Sequence, residues 1–533
     1  MVRALRGEAP LSLTTWGCRH GCPEATYTPP FRAHLVAPHR RNGYDLLLAI
    51  GLLRYAFQQT VDETTLLLRF AGRTLSRATV ARLGRECLVR WAMLCEERLP
   101  AGVRTLPVWV PQIDGTVEEG GPVTFRAREA FTGVTLLARQ LVAENKKEVA
   151  SFLRELRVKY GVPRLGMRDL SATLREAWEV VYPGVPQAED HWHALDDVGP
   201  KMLVDYEPTK EALVGRHGLS DLAAWSRELP LRGDTVEEWE QVGVRLALEW
   251  IDGARTHPGG FPWRLAYLEV GRRLRWVREW AEAMVRGNVR RGWFVPEVVT
   301  LRDRVGRVLA REGVQLHLGR LESEAQLWDE VRRAMRMDRS SRRRMPLGPM
   351  TRGEVETAKE EITEGGNRFR TRGDWAVAIW ERVAQFFREH EPYLWVAAEV
   401  AGLPRTTVDL ERAHGEERRR IRRRTGQKET GGEMGRVGAL LAWSSNLRNR
   451  WFVEEVLTGV NVAEEFARQD AGEVRRRLEE LPREGRRPKV QVTKGTERRH
   501  LERLRELVSG EGPVEPALHA WAVAVAAHEG SVN

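Results

Sequence analysis

Along the first forty-two residues apolar positions follow no period, and Pro, Gly, His and Arg predominate. From Tyr44 to about Leu99 the spacing becomes helical. Asp62 is placed to cap a helix through Phe70, Ala71 to Leu75 breaks it, and Ser76 is placed to cap the next. In that second helix Val80, Leu83, Cys87 and Trp91 recur at three- and four-residue steps, which leaves Arg77, Thr79, Arg82 and Arg85 largely outside the apolar stripe. Helix, short glycine-containing turn and Ser-capped helix outline a helix-turn-helix, although an ordinary helical hairpin has the same outline.

The pattern then shortens. Leu106 to Asp114 reads as a buried strand, and Pro122 to Arg128 and Gly133 to Val142 read as two more. Lys146 to Tyr160 returns to helical spacing. Val162 to Met167 is a short apolar run leading to Asp169, Leu170 to Val181 is helical, and Gln187 to His193 runs from strand into helix. Three meandering strands followed by alternating helix and strand predict an α/β layer with acids at strand ends. Beyond residue 200 helical periodicity dominates, with tryptophans (Trp225, Trp239, Trp250, Trp263, Trp276, Trp280, Trp293) that read mostly as packing. Ser340 to Thr363 has few large apolar residues and reads as a flexible junction. Asp374 to Val400 is amphipathic, and Pro404 to about Arg424 is a further helix opened by Thr406 or Thr407. Glu473 to Glu506 is basic and interrupted by Pro482 and Pro488, which predicts short tail helices.

The chain has 533 residues, more than one ordinary core organises, and its apolar share of 42% supports folded domains. A net charge of +10, carried far more by Arg than by Lys, favours a polyanionic partner, since guanidinium forks match phosphate oxygens. The arginine excess also follows from a GC-rich genome. Four cysteines (Cys18, Cys22, Cys87, Cys95) do not make a secreted disulfide framework. No apolar run reaches membrane-span length, and the N-terminus lacks a signal-peptide core, so the expected compartment is the cytoplasm, at the nucleoid of a prokaryote-type cell. Cys18, His20, Cys22, His34 and His39 offer ligands for a structural zinc, or belong to an irregular arm.

Gln112-Ile-Asp-Gly-Thr116, Phe131-Thr-Gly-Val, Asn145-Lys-Lys-Glu and Gly161-Val-Pro resemble the first half of an RNase H-like transposase core. Asp169, Leu174-Arg-Glu-Ala177, Tyr182-Pro-Gly-Val185, Gln187 and Asp190-His-Trp-His193 resemble the second catalytic block of Mutator and IS256-like transposases, with its Cys-or-Asp, two residues, His signature. Arg405-Thr-Thr-Val-Asp-Leu-Glu411 with Arg418 resembles the helix that bears the catalytic Glu. The resemblance implies a DDE transposase in which Asp114, Asp169 and Glu411 are catalytic and metal-binding, with Asp190, His193 and Arg418 in support. It also implies two Mg²⁺ ions per site, replaceable by Mn²⁺. Ser76, Arg77, Thr79, Arg82, Arg422, Arg423 and Arg424 are the expected DNA contacts. The partners implied are duplex DNA, at terminal inverted repeats and at the target, and further copies of the chain in a homodimer or higher oligomer.

The implied architecture is a mixed five-stranded sheet flanked by helices, an all-helical insertion and a helical N-terminal DNA-binding domain. Its divisions are an arm at 1–42, the helix-turn-helix region at 43–100, the first part of the core at 105–205, the insertion at 206–390, completion of the core at 391–452 and a basic helical tail at 453–533. Each acid has a plainer reading. Asp114 could form a turn before Gly115, Asp169 could cap the helix from Leu170, and Glu411 shares a charged helix with Glu416 and Glu417, whose default is a solvated face. Two other functions remain open: a DNA-binding protein that keeps the fold without cutting, and a nuclease on the same fold.

Overall fold

The computed structural model describes residues 2–4, 7–9, 16–17, 26–27, 35–36, 41–116, 123–141, 143–215, 218–255, 260–290, 296–337 and 349–481. The five candidate zinc ligands, Trp293, Pro482 and Pro488 lie outside them. The chain divides into two compact units, residues 189–401 and the remainder on either side.

In the remainder, residues 2–4 pair with 7–9 and 16–17 with 26–27 as short antiparallel hairpins within the arm expected to be irregular, and the body is built on one five-stranded sheet. Its strands are β1 (Pro111–Thr116), β2 (Val123–Glu129), β3 (Thr135–Leu141), β4 (Gly166–Arg168) and β5 (Gln187–Glu189), in the order β3-β2-β1-β4-β5. β2 is antiparallel to both β1 and β3, and β4 is parallel to β1. This is the mixed RNase H-like sheet expected. β1 starts later than Leu106 and passes Asp114, because a helix runs on to Arg104 and Asp114, Gly115 and Thr116 pair with Arg126, Phe125 and Thr124.

In chain order the helices of this unit are α1 (Tyr44–Gly51), α2 (Val61–Phe70), α3 (Arg77–Arg104), α4 (Lys146–Tyr160) and α5 (Ala172–Val181). The α2 cap is Thr60 rather than Asp62: its hydroxyl accepts from Glu63 N while the Glu63 carboxylate accepts from Thr60 N, and Asp62 instead pairs with Arg77 at 2.7 Å. α3 is capped by Ser76 as expected, but it is a core helix. Its Leu83, Trp91, Leu94, Cys95 and Leu99 belong to one hydrophobic cluster with Phe125 of β2 and Phe152 of α4. Gly166 opens β4 because a Cβ there would stand 2.2 Å from the Trp178 ring of α5, so only glycine lets that indole pack on the strand.

The unit of residues 189–401 is helical: α6 (His191–Met202), α7 (Tyr206–Val214), α8 (Leu219–Glu228), α9 (Val236–Gly253), α10 (Ala266–Arg290), α11 (Pro296–Leu309), α12 (Glu312–Ala334), α13 (Arg352–Arg370) and α14 (Asp374–Leu394). Where a flexible junction is expected, residues 352–363 form the first part of α13. A Thr351–Glu354 capping box starts this helix, and Val355, Ala358, Ile362 and Phe369 bury one stripe of small and apolar residues. Trp225 and Trp328 pack inside, whereas Trp239, Trp250 and Trp276 are exposed.

The chain then returns to the first unit with α15 (Val408–Thr425), which Thr407 precedes without a side-chain capping hydrogen bond, followed by α16 (Gly431–Ser444), α17 (Val462–Arg468) and α18 (Ala471–Glu480). Asn446 pins this return to the sheet, accepting from Thr135 N at 2.8 Å and donating to Thr135 O at 3.0 Å.

Candidate active site

Alternation along β1 sends Gln112, Asp114 and Thr116 to one face while Ile113 enters the core. α15 and the turn before it lie along that face. Gln112 Nε2 donates to Thr406 O at 3.2 Å, His414 Nε2 stands 3.8 Å from Asp114 Oδ2, and Arg418 donates to Thr116 Oγ1 at 2.6 Å. The three contacts fall in the same order along strand and helix, so the two run side by side. Glu411 is three residues before His414 and seven before Arg418, which puts it on the same helix face, the one turned to β1.

Asp169 arrives from the neighbouring strand. The parallel register pairs Gln112 with Met167 and Ile113 with Arg168, so Asp114, still within β1, and Asp169, one residue past the end of β4, come next. The Asp169 carboxylate accepts from Ser171 N at 2.9 Å, while Ser171 itself caps α5; the helix-capping reading of Asp169 therefore fails. Arg168 is buried, with Nε on Gln187 Oε1 at 2.7 Å and another nitrogen on Asp169 O at 2.7 Å, which fixes the backbone that presents Asp169.

Two further groups attend these acids. His414 is 3% exposed and neither ring nitrogen has a hydrogen-bond partner among the described residues. Burial, with Arg126, Arg418 and Arg128 nearby, pushes its imidazole down to about 3, so it is neutral at pH 7. Glu144 receives a hydrogen bond from Ser171 Oγ at 3.4 Å, and burial and the charge of Asp169 raise its carboxyl above the usual range. Neither was singled out from the sequence. For His414 the signal was the i, i+3 spacing from Glu411; for Glu144 only the tertiary approach to Asp169 reveals it.

The remaining candidates are dispersed. Asp190 caps α6, accepting from Trp192 N at 2.6 Å and His193 N at 3.3 Å, and this pair belongs to the helical unit. Ser76 and Thr79 hydrogen-bond each other at 2.9 Å at the α3 N-terminus, beside exposed Arg77, and Arg82 reaches Glu86 at 3.4 Å. Arg422 and Arg423 are exposed, but Arg424 turns inward at 5% exposure, with its guanidinium on Glu433 at 3.0 Å and over the Tyr55 ring. It therefore shares no outer face with the other two. Glu417 is likewise not solvated: it is 3% exposed and pairs with buried Arg126 at 2.6 Å.

For a divalent ion the donors suit in kind, being carboxylates on two adjacent strands and on the helix that covers one of them. Among the described residues, however, no three His, Cys, Asp or Glu side chains converge closely enough to hold a metal ion.

No family model matches the chain, and no curated protein does. Solved structures do match, among them the Drosophila P element transposase strand transfer complex, at 10% identity over 81% of this chain and 94% of that one, with a TM-score of 0.32. Similarity that low carries no weight for function, which rests on the residues themselves. Among the described residues no helix is long and apolar enough to cross a membrane.

Proposed function

We propose that the chain is a DNA transposase of the acidic-triad type, which cuts phosphodiesters at the ends of a mobile element and joins the freed 3′-hydroxyls to target DNA. The observation that carries this reading is the alignment of α15 along β1, with Glu411 on the strand-facing side and Asp169 next in register to Asp114. Three hard-oxygen donors on one side of an RNase H-like sheet suit phosphodiester chemistry. Asp114, Asp169 and Glu411 are the residues that would hold two Mg²⁺ or Mn²⁺ ions once drawn together, and such ions would supply Lewis acidity for activating a hydroxyl and neutralising charge on the leaving oxygen.

The chain's own part is positional. Gln112 and Thr116 tie the helix to the strand at both ends, so Glu411 is held in place by hydrogen bonds that involve no carboxylate. Arg418 keeps a cation beside the acids, where a phosphate has to approach against their charge. Exposed Arg77 at the start of α3, with Arg422 and Arg423 on α15, offers guanidiniums to the duplex.

The test uses duplexes taken from the DNA flanking the reading frame, with Mg²⁺ and supercoiled target. Asp114→Asn, Asp169→Asn and Glu411→Gln should each reduce cleavage and joining by about a hundredfold or more, with folding and duplex affinity retained. Wild-type binding with no cleavage would identify a DNA-binding protein on this fold. Cleavage with no joining would identify a nuclease. Full activity in all three variants would remove these acids from the mechanism.

A further inference from the structure

Two clefts that share Arg54 and Tyr55 in their linings adjoin in the unit that holds the sheet; each opens to solvent and encloses room for about one water molecule as the side chains stand. Five arginines line them, Arg54, Arg85, Arg420, Arg424 and Arg436, against two carboxylates, Glu417 and Glu433. Each carboxylate already holds a guanidinium, although Glu417 Oε2 has no hydrogen-bond partner among the described residues. Glu417 holds Arg126 at 2.6 Å, and Glu433 accepts from Arg424 at 3.0 Å and from Arg436 at 2.7 Å. Arg420 reaches out to Glu416 at 2.9 Å. With Arg126 and Glu416 included, six guanidiniums face three carboxylates, an excess of three positive charges.

The excess has local consequences. Arg424 is 5% exposed, and its Nε has no hydrogen-bond partner among the described residues; the same holds for Arg436 Nε. A buried N–H without an acceptor costs roughly 1–3 kcal/mol, and an acceptor drawn into the cleft relieves that cost. Burial and the nearby charge of Arg448 lower the proton affinity of Arg420, as expected where positive charge is crowded.

We propose that the paired cleft is a phosphate-binding site. A phosphate group presents several anionic oxygens to several guanidinium edges at once, which is the geometry that arginine forks match. The chemistry is shared by a backbone phosphate of DNA and by free phosphate. Arg420 and Arg424 stand nine and thirteen residues past Glu411 on the same helix. At 1.5 Å per residue that is about 14–20 Å, or roughly four to six nucleotides along one strand of a B-form duplex. The DNA source alone rests on the transposase reading; the phosphate site does not.

The experiment follows thermal unfolding of the full chain in inorganic phosphate against chloride at matched ionic strength. Phosphate should raise the wild-type Tm above the chloride value in a saturable way. Arg85→Gln and Arg436→Gln should weaken the apparent phosphate affinity by about tenfold, while Arg450→Gln, on an 80% exposed side chain elsewhere, should not. Each increment is read against the same variant in chloride, so a general loss of stability does not imitate the result. Asp114→Asn should keep the increment, which separates failure here from failure of the catalytic reading. A labelled duplex displaced by phosphate over the concentrations that saturate the Tm increment, with both variants binding it more weakly, assigns the site to DNA; a duplex indifferent to phosphate assigns it to the free anion. No saturable increment in the wild type, or an undiminished one in both variants, overturns the proposal.

Discussion

At position 417 a charge on a charged helix does the opposite of what its surroundings in the sequence suggest. Glu417 and Arg126 are 3% and 1% exposed at the side chain, while Glu416, one residue earlier, is 43% exposed on its pair with Arg420. Removing one partner of a buried pair leaves an uncompensated charge, at a cost of about 3–5 kcal/mol. Glu417→Gln should therefore lower the denaturant midpoint clearly, whereas Glu416→Gln should move stability by under about 0.5 kcal/mol. Equal midpoints would show that Arg126 tolerates the loss. Glu324 is a second such group. Its side chain is fully buried, accepts from Asp205 N at 3.1 Å, and lies by Asp205, His317 and Arg320. Burial raises its carboxyl far above the usual range; the Asp205 N–H offsets part of the shift, and the Asp205 carboxylate adds to it. The native chain then keeps a proton that the unfolded chain gives up above about pH 4.3, so this group takes stability away as pH rises through that value. Glu324→Gln should be close to neutral near pH 4 and more stable than wild type at pH 8. A pH-independent difference would refute the buried-acid assignment.

Among the elements, α13 and α14 meet closely enough to set a residue type. A Cβ at Gly366 would come within 2.0 Å of the Trp380 ring, and the clash involves a buried indole. In an isolated helix Gly→Ala gains about 1 kcal/mol; here overpacking costs about 1–3 kcal/mol. Gly366→Ala should thus destabilise the protein, and a raised Tm would mean that the two helices separate more easily than their packing implies. The α15–β1 pairing is held differently, by hydrogen bonds at Gln112 and Thr116. Gln112→Leu keeps size and removes the bond to Thr406 O, so it should affect cleavage more than stability, because it loosens the helix that carries Glu411. Unchanged cleavage would show that the remaining contacts suffice.

For the whole molecule, net charge and the division into two units matter most. A chain of charge +10 with exposed arginines should bind random duplex with an affinity that falls steeply and log-linearly with salt. A flat salt dependence would place the charge away from the bound surface. Since residues 189–401 form their own compact unit, the Gly366→Ala defect should speed hydrogen exchange in α13 and α14 and leave β1 to β3 protected. Uniform acceleration would mean that both units unfold together.

Local chemistry was sufficient for much of the fold. Helical spacing from Lys146 to Tyr160 matches α4 at both ends, Ser76 caps α3, and the strand runs and their polar connections anticipate a five-stranded mixed sheet. Periodicity, caps and turns act within a few residues, so the sequence alone carries them. Element ends were read less well where contacts decide them. β1 runs past Asp114 because β2 pairs with it, and α3 runs past Leu99 because a hydrophobic core covers it on more than one side. The acids at 114, 169 and 411 could be picked out by resemblance, but their mutual placement depends on strand register and on how α15 lies along β1. His414, Glu144 and Glu417 take their surroundings from distant parts of the chain, and so does the arginine-lined cleft. Whether a charged side chain is solvated, paired or trapped depends on what packs against it, and only the tertiary structure decides that.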